Sequence, residues 1–121
     1  MATVLTVDDS PSICQMIKLV LGSAGHTVLT ASDGAAGLAK ARAERVDLVI
    51  TDLNMPVMNG MAMIRALRGL PSFVGVPIVF LTTESDDTIK SEAKAAGASG
   101  WITKPFKPDQ LLSVVAKLVR K

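Results

Sequence analysis

The chain has 121 residues, of which 49% are hydrophobic, 20% charged and 3% aromatic, which predicts one domain and excludes a disordered chain. Its formal net charge is +2, from 13 basic and 11 acidic residues, an excess too small to indicate nucleic-acid binding. The single cysteine excludes an internal disulfide, and neither a signal peptide nor a membrane-spanning apolar run is present, so we expect a cytoplasmic protein that does not bind membranes.

Five short apolar runs alternate with five segments in which apolar residues recur at helical spacing. The runs predict strands, at residues 3–7, 27–31, 48–50, 76–81 and 98–103. The other segments predict helices, from residue 11 to stops at Gly22 and Gly25, and at residues 35–45, 61–70, 85–96 and 108–119. This alternation predicts an α/β fold in one domain, residues 1–121: a doubly wound five-stranded parallel sheet of order 2-1-3-4-5 with five helices, of the flavodoxin-like kind.

Acidic residues follow two of the predicted strands. Asp8 and Asp9 follow the first strand, and Asp52 follows the third. In the predicted order these strands are neighbours, so the three carboxylates converge at one edge of the sheet. Their mutual repulsion requires a cation, and oxygen ligands without a nearby His or Cys favour Mg²⁺.

Two more polar side chains are expected at the same edge, because they stand at the carboxyl ends of the fourth and fifth predicted strands. Thr82 ends the fourth strand and supplies a hydroxyl, and Lys104 follows the fifth strand and supplies a positive charge. A carboxylate nucleophile, a metal and donors for phosphoryl oxygens form a set suited to phosphoryl transfer. We therefore expect Asp52 to be the nucleophile of such chemistry.

These residues, with the segment DLNMPVMNG at 52–60 and the run Lys104-Pro105-Phe106, resemble a response-regulator receiver domain of the stand-alone, chemotaxis (CheY-like) type over the whole chain. The resemblance implies that Asp52 accepts a phosphoryl group from a histidine kinase. It also implies Mg²⁺ bound by Asp9, Asp52 and the Asn54 carbonyl, with Asp8 acting through water.

The resemblance further implies how the signal is read. Lys104 pairs with Asp52 and then with the phosphoryl group, Thr82 moves to bond that group, and Trp101 turns in response. This remodels the face of the fourth helix, fifth strand and fifth helix, which binds a downstream protein such as a flagellar motor or phosphotransfer protein. Asn54 and Glu84 tune the phosphoryl lifetime. The implied protein is a monomer that catalyses only its own phosphorylation and dephosphorylation.

Other functions stay open at this point. The same residues fit a single-domain phosphorelay intermediate or a phosphate sink. An Mg²⁺-dependent phosphatase with an aspartyl nucleophile needs a second acid two residues further on, where Asn54 stands. A flavodoxin-like cofactor binder needs a loop that accepts an anion after the first strand, where Asp8 and Asp9 stand. A degenerate receiver used only as an interaction module is disfavoured by the complete set of acids, Thr82 and Lys104.

Overall fold

The computed structural model describes residues 2–52, 60–82, 87–104 and 106–119, which form a parallel sheet with helices on both faces. The sheet order is β2-β1-β3-β4-β5, with β1 Thr3–Val7, β2 Thr27–Ala31, β3 Leu48–Asp52, β4 Ile78–Thr82 and β5 Gly100–Thr103. The helices are α1 Pro11–Ser23, α2 Gly34–Ala43, α3 Gly60–Arg68, α4 Asp87–Ala96 and α5 Pro108–Leu118, and a 3-10 helix, Pro71–Phe73, follows α3. The predicted fold class and strand order are confirmed.

The sheet divides the core into two layers because alternate residues of each strand face opposite sides. In β1, Leu5 and Val7 face the layer formed with α2, α3 and α4, whereas Val4 faces the layer formed with α1 and α5. All five residues of β3 are buried, as expected for a central parallel strand covered on both faces. Burial of aliphatic side chains on both faces therefore stabilises the sheet, and the sheet positions the polar residues at the carboxyl ends of its strands.

Local side-chain chemistry explains where two helices begin. Ser10 is the N-cap of α1, and its hydroxyl accepts a hydrogen bond from the Ile13 amide at 3.4 Å, with Pro11 in the first turn as the sequence predicts. Asp33 is the N-cap of α2, and its carboxylate accepts from the Ala36 amide at 2.8 Å. The helix predicted at residues 35–45 therefore begins earlier, at Gly34, because Asp33 supplies its cap.

Two strands begin later in the structure than the sequence predicts. The strand predicted from residue 76 begins at Ile78, and the strand predicted from residue 98 begins at Gly100. The residues before them still bond the sheet, since the Ser99 amide donates to the Ile78 carbonyl at 2.7 Å and the Val49 amide donates to the Pro77 carbonyl at 3.0 Å. None of the helices within the described residues is both long and apolar enough to cross a bilayer.

Arg68, at the end of α3, bonds two other segments. Its guanidinium donates to the Gly97 carbonyl at 3.0 Å and to the Phe73 carbonyl at 2.7 Å. Gly97, just after α4, has φ +120°, a conformation that side chains of L-residues rarely allow. A Cβ atom there would lie 2.5 Å from Arg68 Cγ. The turn between α4 and β5 therefore requires glycine for both backbone and packing reasons.

Candidate functional site

The register of the sheet brings three carboxylates together. Val7 of β1 pairs with Thr51 of β3, so the residues that follow, Asp8 and Asp52, are neighbours at the carboxyl ends of the two strands. One carboxylate oxygen each from Asp8, Asp9 and Asp52 lie within 4.8 Å of one another. The convergence predicted from the strand order is confirmed.

Asp8 is buried and held at both carboxylate oxygens. Its exposed fraction is 1%, and its Oδ1 accepts a hydrogen bond from the Ser10 amide at 2.9 Å. Its Oδ2 lies 3.2 Å from the ammonium of Lys104. Such charge-assisted bonds offset the cost of burying a carboxylate. Asp8 therefore has a fixed orientation, whereas Asp9 beside it is exposed to solvent.

Lys104 lies between two carboxylates at the end of β5. Its ammonium is 3.4 Å from Asp52 Oδ2 as well as 3.2 Å from Asp8 Oδ2. Its backbone amide donates to the Thr82 carbonyl at 2.8 Å, which fixes the residue at the end of β4 and β5. The pairing with Asp52 implied by the resemblance is present, and the contact with Asp8 is an addition that sequence reasoning missed.

Asp52 and Thr82 end the two central strands. Asp52 is the last residue of β3 and is 8% exposed, and the Thr51 hydroxyl donates to its carbonyl at 2.9 Å. Thr82 is the last residue of β4 and is buried at the same edge of the sheet. The structure thus brings Asp8, Asp9, Asp52, Thr82 and Lys104 to one edge, as the sequence predicts.

Cys14 lies beside the acid pair in α1. Its thiol donates to the Asp8 carbonyl at 3.4 Å. Burial raises the pKa of this thiol, and the negative charge of Asp8 raises it further. A groove of about 490 Å³ between α1 and α2 opens next to it, with Lys18 and Lys40 on its sides. The raised pKa leaves less thiolate at neutral pH, which lowers the reactivity of this thiol.

Trp101 of β5 is on the outer surface rather than at the acid cluster. Its side chain is 43% exposed, and the ammonium of Lys90 lies 4.6 Å from the centre of its ring. The switching role implied for Trp101 stays a prediction. Asn54, Glu84 and Pro105 lie outside the described residues, so the carbonyl ligand and the lifetime-tuning positions also stay predictions.

The donor set fits a divalent cation. In their ionised forms, three carboxylates and the ammonium of Lys104 sum to three negative charges and one positive charge, which leaves two negative charges. Oxygen donors at this spacing suit a hard cation such as Mg²⁺ better than Zn²⁺, which prefers nitrogen and sulfur ligands. The exposed Asp9 gives such an ion access from solvent.

Comparison with known proteins agrees with this geometry. Residues 4–116 match the family described as the response regulator receiver domain. The structure superimposes with a TM-score of 0.94 on chemotaxis response regulator CheY4 of Vibrio cholerae, which is 47% identical over 98% of each chain. It also superimposes, with a TM-score of 0.90 and 27% identity over 98% of this chain and 97% of the other, on the receiver domain of the sensor histidine kinase PA1611 from Pseudomonas aeruginosa, which has magnesium in its active-site cleft.

A longer relative shares the same region. The transcriptional regulatory protein KdpE of Mycobacterium tuberculosis is 36% identical over 121 residues, which are 100% of this chain and 52% of KdpE. The chain spans about half the length of this and similar curated relatives. Because the family match extends over residues 4–116, nearly the whole chain, the chain belongs to the response regulator receiver domain family.

Proposed function

We propose that this domain, residues 1–121, is a signalling switch in which Asp52 accepts a phosphoryl group from a histidine kinase. The observation that supports this most is the position of the Asp52 carboxylate, 8% exposed, beside two other acids and 3.4 Å from the Lys104 ammonium. A carboxylate in this setting is accessible at one edge and faces a fixed positive charge. Both features suit a nucleophile that attacks a phosphorus atom.

In the proposed reaction, an Asp52 oxygen attacks the phosphorus of phosphohistidine. The new bond joins that oxygen to phosphorus, the phosphorus–nitrogen bond breaks, and the imidazole leaves with the electron pair. Lys104 stays within reach of the transferred group because Asp8 also binds it, at 3.2 Å. The Thr82 hydroxyl, at the end of the neighbouring strand, is a donor for a phosphoryl oxygen.

Mg²⁺ is the proposed cofactor, held by Asp9 and Asp52 with the Asn54 carbonyl, and by Asp8 through water. When bound, it neutralises charge on the phosphoryl oxygens. The two negative charges left by the three carboxylates and Lys104 support this assignment. Asn54 and Glu84 are proposed to tune the lifetime of the phosphoryl group.

The proposed output face consists of α4, β5 and α5, with Thr82 and Trp101 as the residues that respond to phosphorylation. Chemotaxis or motility is the proposed pathway, because the 47% identity to CheY4 extends over 98% of both chains. A flagellar motor protein or a phosphotransfer protein is the corresponding target. Phosphorelay and phosphate-sink roles use the same site. We propose a monomer with no catalysis beyond its own phosphorylation and dephosphorylation.

The experiment uses phosphoramidate, a small donor with a phosphorus–nitrogen bond. Intact-mass spectrometry should show one added phosphoryl group on the wild type with Mg²⁺, and none after chelation. Asp52→Asn should gain none, whereas Asp47→Asn, a control on the acid just before β3, should be labelled like the wild type. Labelling of Asp52→Asn at the wild-type rate would refute the proposal.

A further inference from the structure

The exposed indole of Trp101 makes two contacts that the phosphoryl chemistry does not use. Trp101 is in β5, the edge strand next to β4. Its ring lies beside the ring of Phe80, its register partner in β4, with centroids 6.2 Å apart and planes inclined by 33°. The ammonium of Lys90, in α4, lies 4.6 Å from the centre of the same ring. The indole thus contacts both the sheet and a helix.

The second contact is important because α4 is held by few apolar side chains. Among its residues, 87–96, all of which are described, Ala93 is fully buried, and Ile89 and Ala96 are half-buried. Alanine buries little surface, so these residues hold the helix less firmly than leucines would. The contact between Lys90 and the ring of Trp101 therefore adds a further link between α4 and β5.

We infer that the Lys90–Trp101 contact regulates the proposed output face by keeping the indole on the outer surface while Asp52 is unphosphorylated. The inference rests on the proposed function in assigning this face to output and in taking Trp101 as a residue that responds to phosphorylation. The contact joins α4 to β5, so a change that moves the indole also weakens the hold on α4. A change that moves α4 likewise weakens the hold on the indole, because a coupling between two positions is reciprocal.

The size of the effect follows from ordinary cation–π contacts at exposed sites. Removing the ammonium is expected to change the ratio of outward to inward indole about two- to five-fold. The direction of the change in indole accessibility distinguishes this role from simple shielding of the ring by Lys90. If Lys90 holds the indole outward, its loss makes the indole less accessible. If Lys90 only covers the ring, its loss makes the indole more accessible or leaves it unchanged.

Trp101 is the single tryptophan of the chain, so fluorescence reports on this side chain alone. Lys90→Met removes the charge and keeps most of the aliphatic length, and Lys90→Arg keeps a cation. Lys94→Met is the matched control, since Lys94 lies one turn further along α4 and lines the same small cavity beside the ring. Acrylamide quenching and the emission maximum are measured in all four proteins without phosphodonor.

We expect Lys90→Met to lower the quenching constant and shift the emission to shorter wavelength, with Lys94→Met and Lys90→Arg close to wild type. Equal effects of Lys90→Met and Lys94→Met, or an indole that becomes more accessible, would overturn the inference. Circular dichroism checks folding, and Lys90→Gln serves as a second neutral variant. Because no phosphodonor is present, failure of this test would not bear on whether Asp52 is phosphorylated, which the mass measurement with phosphoramidate decides separately.

Discussion

Substituting Gly97 by alanine is expected to be among the most destabilising small changes in this protein. The backbone at φ +120° is strained for an L-residue, which costs about 1–3 kcal/mol. The new Cβ would also lie 2.5 Å from Arg68 Cγ and 3.0 Å from Arg68 Nε, so the arginine must move. Losing one of its two charged hydrogen bonds, to the Gly97 and Phe73 carbonyls, costs roughly 1.5 kcal/mol. The sum is a loss of about 2.5–4.5 kcal/mol in the free energy of unfolding.

Urea unfolding followed by Trp101 fluorescence measures this loss. In an Arg68→Ala background, Gly97→Ala should cost only the backbone strain of about 1–3 kcal/mol, so the double-mutant cycle should show coupling. Gly22→Ala is the control, because a Cβ there meets nothing within 4 Å and alanine favours the helix. The reasoning is refuted if Gly97→Ala costs less than about 1 kcal/mol, or if its cost is the same in both backgrounds.

Four further predictions concern single side chains. Thr6→Val should leave the urea midpoint unchanged or raise it, because the Thr6 hydroxyl is the one buried side-chain polar atom without a partner among the described residues. Thr51→Val should lower the free energy of unfolding by about 1 kcal/mol, since the Thr51 hydroxyl donates to the Asp52 carbonyl. Equal shifts of the urea midpoint for Thr6→Val and Thr51→Val would contradict this. Lys104→Met should strengthen Mg²⁺ binding roughly ten-fold in calorimetry by removing an ammonium 3.2 and 3.4 Å from two carboxylates, and weaker binding would count against the proposed site. Burial raises the pKa of Cys14, so below that pKa the folded protein holds less thiolate than the unfolded chain. Iodoacetamide in EDTA at neutral pH should therefore label Cys14 more slowly in the folded protein than in urea-unfolded protein. Equal rates would contradict this.

The fold could be predicted because its three inner strands, β1, β3 and β4, are largely buried on both faces and leave a strong sequence pattern. All five residues of β4 are buried, and the run around Ile78 is almost wholly apolar. The ends of the helices and the segments between the elements were less predictable. The helix predicted from residue 35 begins at Gly34, because Asp33 caps α2; an aspartate favours turns as well as helix caps, and the position of the Ala36 amide decides between them. The 3-10 helix at Pro71–Phe73 was likewise absent from the prediction.

The acid cluster could be predicted because strand ends are fixed by topology. Asp8 and Asp52 follow neighbouring parallel strands, so their proximity requires no knowledge of side-chain conformation. The contacts of Lys104 with Asp8, and of Lys90 with Trp101, depend on how long side chains cross between elements. Nothing in the sequence distinguishes Lys90 from Lys94, the other lysine of α4. Such contacts are set by tertiary distances that a periodicity does not encode.

The ion pair between Asp8 and Lys104 also bears on how the chain folds, since its partners are 96 residues apart. The Asp8 carboxylate at the end of β1 is buried in the folded protein, and the lysine that pairs with it directly follows β5. A partly folded chain with β1 paired to β3 and β5 undocked therefore keeps the bond from the Ser10 amide but lacks the one from Lys104, a loss of roughly 1.5–3 kcal/mol. This penalty disfavours stable intermediates and makes folding of the two halves of the sheet mutually dependent. A fragment that stops before Lys104 is thus expected to lack a stable native β1–β3 core.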